Sequence, residues 1–81
     1  MGEETHGEYL VGISFNPGGN PDVNDVKRKA ADLIDAIKAL RNDEEAASTR
    51  QSAEAARCKS IAITHVETAA MFAVKAATKP A

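Results

Sequence analysis

The chain has no tryptophan, one tyrosine, two phenylalanines and one cysteine among its 81 residues. A single Cys58 excludes an internal disulfide, and two histidines with one cysteine form no cluster of zinc-site spacing. A lone cysteine suits a reducing compartment. No apolar run reaches the roughly 18 residues of a membrane-spanning helix. The opening residues carry no secretory pattern, and His6 stands where a myristoylation signal needs Ser or Thr. A net charge of −2 leaves no excess positive charge for duplex DNA or an anionic membrane. Catalytic patterns are also missing: there is no Walker loop, no Gly-x-Gly-x-x-Gly and no His-Glu-x-x-His. Cys58 and His65 are the one nucleophile–base pair, and seven helical residues put them about 10 Å apart along the axis. Cys58 is therefore expected as a small interior side chain, and His65 as a polar residue at a helix contact. The chain is expected to be no enzyme and to need neither cofactor nor metal.

What is present is helical pattern. Residues 1–20 form an N-terminal arm, polar and Gly-rich around Tyr9 to Phe15, ending in the turn cluster NPGGNP at 16–21. Asn20 before Pro21 reads as an N-cap with proline in the first helical position. From Pro21 to about Leu40, the residues Val23, Val26, Ala30, Leu33, Ile37 and Leu40 recur at spacings of three and four, a coiled-coil-like seam. The other face offers Asp25 to Lys29 and Arg28 to Asp32 as pairs one turn apart. Residues 41–43 are the expected chain reversal. A second helix is expected from about Asp43 to about Ala77. Residues 21–81 thus read as an antiparallel two-helix hairpin, and with its short arm the chain is a single all-α domain.

The second helix changes character along its length. Arg50, Gln51, Glu54 and Arg57 make its first half polar. Between Ser60 and Val74, Glu67 is the only formally charged residue. A helix apolar nearly all round is buried nearly all round, and one hairpin partner covers one side. Only sixteen large apolar side chains lie between Leu10 and Val74, so a monomer of this size is short of core. The pattern predicts a homo-oligomer; the alternative is that the arm folds over this surface.

For binding, the basic run Lys27-Arg28-Lys29 lies on the second turn of the first helix. Lys27 falls at the margin of the seam, in line with Ile34, where its stem can lie on apolar surface with the ammonium at a pocket edge. Upstream stand a glycine-rich loop whose amides suit phosphate oxygens and two aromatic faces, Tyr9 and Phe15, on which a base can stack. The competing account is structural: Tyr9 and Phe15 pack the arm down and the basic residues form surface ion pairs.

Three stretches then carry a resemblance: 11–23 (VGISFNPGGNPDV), 26–35 (VKRKAADLID) and 60–80 (SIAITHVETAAMFAVKAATKP). Together they resemble the anti-CBASS cyclic-oligonucleotide sponges of bacteriophages, whose helical hairpin is shared with one type of Thoeris anti-defence sponge. The resemblance covers roughly residues 9–37 and 60–80 and is slight over 42–58. It implies a compact homohexamer in the cytoplasm of an infected bacterium. Such a hexamer holds cyclic dinucleotides (cGAMP-like) between protomers and cyclic trinucleotides (cyclic tri-adenylate-like) at separate sites, without cleaving either. Matched residue by residue, it implies Tyr9 and Lys27 for the dinucleotide with Asn16 as neighbour, and Phe15 as the other choice for stacking. For the trinucleotide it implies Thr64 with a basic residue that is Arg57 or Lys59. The rival functions are a phage structural or assembly protein with no small ligand, and a small nucleic-acid-binding regulator that uses Lys27 to Lys29.

Overall fold

The computed structural model describes residues 3–40 and 49–79. Their helices are α1 (His6–Val11), α2 (Pro21–Lys38) and α3 (Thr49–Thr78), with no strand among the described residues. The expected reversal at 41–43 and the expected helix start near Asp43 lie outside the described residues. No helix among them is long and apolar enough to cross a membrane.

Helix α2 begins as its sequence requires. The Asn20 side-chain oxygen accepts from the backbone N–H groups of Asp22 (2.8 Å) and Val23 (3.3 Å), and Pro21 occupies the first helical position. Lys29 pairs with Asp25 at 3.0 Å and Arg28 with Asp32 at 2.9 Å, the two pairings expected along the outer face.

The hairpin is antiparallel, and a polar contact marks each end. Asn20 Nδ2 donates to the Ala77 carbonyl at 3.4 Å, joining the start of α2 to the end of α3. At the other end Lys59 Nζ donates to the carbonyls of Lys38 (2.9 Å) and Leu40 (2.8 Å). These carbonyls lack helical partners, and a cation there meets the negative end of the α2 dipole.

Residues His6–Val11 of the arm form a helix, which the sequence reading did not expect. Thr5 and Glu8 form a reciprocal capping box: Glu8 N–H donates to Thr5 Oγ1 at 3.1 Å, and Thr5 N–H to Glu8 Oε1 at 2.9 Å. Gly12 ends α1 at φ 62°, a left-handed conformation natural to glycine. The structural account of the aromatics fails here. Tyr9 and Phe15 are 71% and 72% exposed, so neither packs the arm down.

The buried stripe of α2 is also displaced from the expected seam. It runs Val23, Lys27, Ala31, Ile34, whereas Leu33 and Leu40 are exposed. The reason is that α2 is covered from two sides, by α1 and by α3, and the residues between those two contacts are enclosed most. Lys27 therefore lies in the middle of the buried stripe and not at its margin.

Among the described residues the buried apolar core is Val23, Ala31, Ile34 and Ala70. The radius of gyration is 15.3 Å, against about 12 Å for a compact chain of this length. Helix α1 packs chiefly on α2 and meets α3 only at its edge, so the arm does not cover the apolar half of α3. Ile61, Met71 and Phe72 stay exposed.

Candidate functional site

The site begins with a buried cation. Lys27 is 6% exposed, and an ammonium so placed needs acceptors. The turn after α1 supplies them: Lys27 Nζ donates to the Gly12 carbonyl at 2.9 Å and to the Phe15 carbonyl. Nζ also lies 5.5 Å from the centre of the Phe15 ring, within cation–π range. These carbonyls take two of the three N–H donors of the ammonium.

The loop between α1 and α2 is fixed by Asn16. Its Nδ2 donates to the Asn20 carbonyl and to Asn24 Oδ1, both at 2.8 Å, and its Oδ1 accepts from Asn20 N–H at 3.2 Å. Asn16 spends its amide on the loop and shapes the site from within. Gly19, at φ 61°, makes the bend before the cap. Two clefts flank this turn. One, about 300 Å³, is lined by Leu10, Lys27, Glu67, Ala70 and Met71 among others. The other, about 560 Å³, is lined by Phe15, Asn16, Asn20, Val74 and Thr78 among others.

Charged groups clamp the arm beside this turn. Gly7 N–H donates to Asp35 Oδ1 at 2.7 Å, and Arg28 bonds Glu8 Oε2 at 2.8 Å while also holding Asp32. The Thr5 backbone N–H and then Arg28 hold the Glu8 carboxyl below its ordinary value. The Thr5 hydroxyl and then the Gly7 N–H do the same for Asp35. Glu8 and then Asp32 raise Arg28 in return.

The residues expected for a trinucleotide are spread over α3. Arg57 grips Glu54 through Nε (3.1 Å) and Nη2 (3.2 Å), and Glu54 raises its pKa. Thr64 is exposed on the same face as Arg57, two turns on and about 10 Å along the axis. Lys59 lies two residues from Arg57, about 200° round the helix, and is committed to the end of α2. Arg57 and Thr64 thus share a side that Lys59 does not. Cys58 is exposed rather than interior, 3.8 Å from Glu54 Oε2, and His65 is exposed as well.

Residues 8–78 match the family model of the Acb2/Tad1 hairpin domain. The chain belongs to that family. Its members are anti-CBASS and anti-Thoeris sponge proteins. They bind signals rather than transform them, so membership implies a phage anti-defence sponge for cyclic nucleotides. No curated protein and no solved structure matches the chain significantly. The Acb2/Tad1 match runs from Glu8, in the first turn of α1, to the end of α3, and so takes in the turn that joins α1 to α2.

Within this Acb2/Tad1 chain, Phe15 and Asn16 lie in the turn after α1, with Lys27 on the buried face of α2 beneath it. Tyr9 stands apart on α1, with its ring exposed. Sequence reasoning missed Gly7, Glu8 and Asp35, which hold the arm. The signal for Glu8 was present as the capping-box spacing Thr5-x-x-Glu8. Nothing in the sequence marks Asp35, because its partner is a backbone N–H 28 residues away.

Proposed function

We propose that the protein sequesters cyclic di- and trinucleotide immune signals intact and thereby keeps CBASS effectors unactivated in the cytoplasm of the infected host. One observation carries this: the exposed Phe15 ring lies 5.5 Å from the Lys27 ammonium, and the exposed Tyr9 ring stands on the helix just before it, in a chain whose family binds cyclic nucleotides. A base stacked on an aromatic ring gains about 1–3 kcal/mol, and the Lys27 ammonium meets a phosphate oxygen. Asn16 contributes through the loop it shapes. Arg57, with Thr64 on its side of α3, holds the trinucleotide, and Lys59 supports that helix from behind.

The working form is a homo-oligomer, six copies in the family's manner. Support for self-association comes from the small apolar core among the described residues and from the exposed Ile61, Met71 and Phe72, which a second copy would bury. The same apolar face suits the rival reading, a phage assembly protein without a small ligand. Sequestration needs only excess protein and a dissociation constant well below the messenger level.

Calorimetric titration with cyclic dinucleotides of cGAMP and di-AMP type and with cyclic tri-adenylate tests the proposal, with mass measurement alongside. The expected result is saturable binding, with every ligand recovered intact after the protein is denatured. An assembled protein that binds none of the panel supports the assembly reading, and linear products would make it a nuclease.

A further inference from the structure

The aromatic face of Tyr9 can serve a ligand only if something holds it in place, and its own side chain does not. Tyr9 sits on α1, a helix of six residues. A helix so short does not persist in water by itself. With its ring 71% exposed, Tyr9 depends on contacts made by its neighbours.

The tightest of these is at Gly7. Gly7 is buried, and a Cβ built there would lie 2.2 Å from the Ala31 carbonyl oxygen and 2.9 Å from Asp35 Oδ1. The two helices therefore meet backbone against side chain and carbonyl, at a distance only glycine permits. At the same point the Gly7 N–H, one of the first-turn donors without a helical acceptor, donates to Asp35 Oδ1 at 2.7 Å. The Thr5 hydroxyl and this N–H favour the ionised carboxylate, so Asp35 acts as a charged cap reaching across from α2. Tyr9 follows two residues later, about 200° round the helix. If Gly7 faces α2, Tyr9 must face away from it.

We infer that Gly7 and Asp35 form a latch that positions Tyr9 for the dinucleotide without touching the ligand. Its positional half stands on geometry alone; its ligand half rests on the function proposed above. Arg28 bonding Glu8 steadies the next residue of the same turn, but Glu8 is already held by its own capping box. An unlatched arm would have to be ordered on binding, and apparent affinity falls in proportion to the fraction of chains that are ready.

Tyr9 reports on the latch directly, since it is the one tyrosine and there is no tryptophan. Its fluorescence anisotropy is compared in wild type, Gly7→Ala, Asp35→Ala and Asp35→Asn at equal oligomeric state, beside titrations with a cyclic dinucleotide and cyclic tri-adenylate. Gly7→Ala and Asp35→Ala are expected to lower the Tyr9 anisotropy. With the arm docked a tenth of the time, they weaken the dinucleotide about tenfold and leave the trinucleotide unchanged. Asp35→Asn keeps an acceptor for the Gly7 N–H but loses the charge, and is expected to restore only part of both signals. Unchanged anisotropy in Asp35→Ala and Gly7→Ala overturns the latch. An equal loss of both ligands also overturns it, since that marks general destabilisation. A wild type that binds neither ligand refutes the proposed function instead, and the anisotropy series still decides whether the latch holds Tyr9.

Discussion

Lys27 Nζ and the Gly12 carbonyl oxygen are 2.9 Å apart, which ties the most buried charge of α2 to the residue that ends α1. The same oxygen accepts from Phe15 N–H at 2.9 Å. One side chain thus sets both the turn and the cation beneath Phe15, and binding and folding are separable at Tyr9 but not at Lys27.

Tyr9→Ala and Lys27→Met are accordingly expected to differ. Tyr9→Ala leaves thermal stability within about 0.5 kcal/mol, as an exposed side chain should, and weakens the dinucleotide by about 1–3 kcal/mol. Lys27→Met loses charge-assisted hydrogen bonds worth about 1.5–3 kcal/mol and lowers stability as well as affinity. Melting curves by circular dichroism beside calorimetric titration check both; equal melting losses in the two variants would contradict the assignment.

Asn20→Ala is expected to destabilise by about 1 kcal/mol through the lost cap. The contact with Ala77 across the hairpin end goes with it. Asn20→Gly, which leaves an acceptable cap residue, should cost only a few tenths of that. Chemical denaturation of the two variants separates these outcomes.

Acid should release the arm before the hairpin. Glu8 and Asp35 both have carboxyls held below their ordinary values of 4.5 and 3.8. Unfolding or undocking therefore binds protons, and the stability these groups contribute is complete above the ordinary values and lost as pH falls through the lowered ones. Among the groups facing them, Arg28 stays charged throughout, and both Arg28 and His6 favour ionised Asp35. Tyr9 anisotropy should hold steady down to about pH 5 and fall below the ordinary carboxylate range.

On α3 the two basic candidates should part. Arg57→Ala removes an exposed side chain paired with Glu54, so trinucleotide binding falls while the melting point stays. Lys59→Ala removes the cation at the end of α2 and costs about 1 kcal/mol of stability, with trinucleotide affinity retained. Paired titration and melting of the two variants decide which residue belongs to the ligand.

Neighbouring alanines test assembly. Ala70 is 6% exposed and enclosed by the hairpin, whereas Ala69 is exposed in the single chain. Ala70→Glu should unfold the chain, since an unpaired buried charge costs about 3–5 kcal/mol. Ala69→Glu should leave a helical monomer if copies of the chain cover that face. Sedimentation of Ala69→Glu as the same species as wild type would show that no copy sits there.

By itself the sequence determined the two long helices, the cap at Asn20, the ion pairs along the outer face of α2 and the poverty of core, because each depends on neighbours within one or two turns. It also kept Phe15 and Asn16 close to Lys27, since a short loop cannot carry them far apart. Only the tertiary structure decided that Lys27 is buried, that the enclosed stripe passes through Ala31 and Ile34, that Lys59 caps α2, and that Asp35 holds Gly7. Those facts depend on where α1 lies across α2. That placement is set by a backbone approach at one glycine and by main-chain donors and acceptors, which every sequence carries alike and which periodicity does not record.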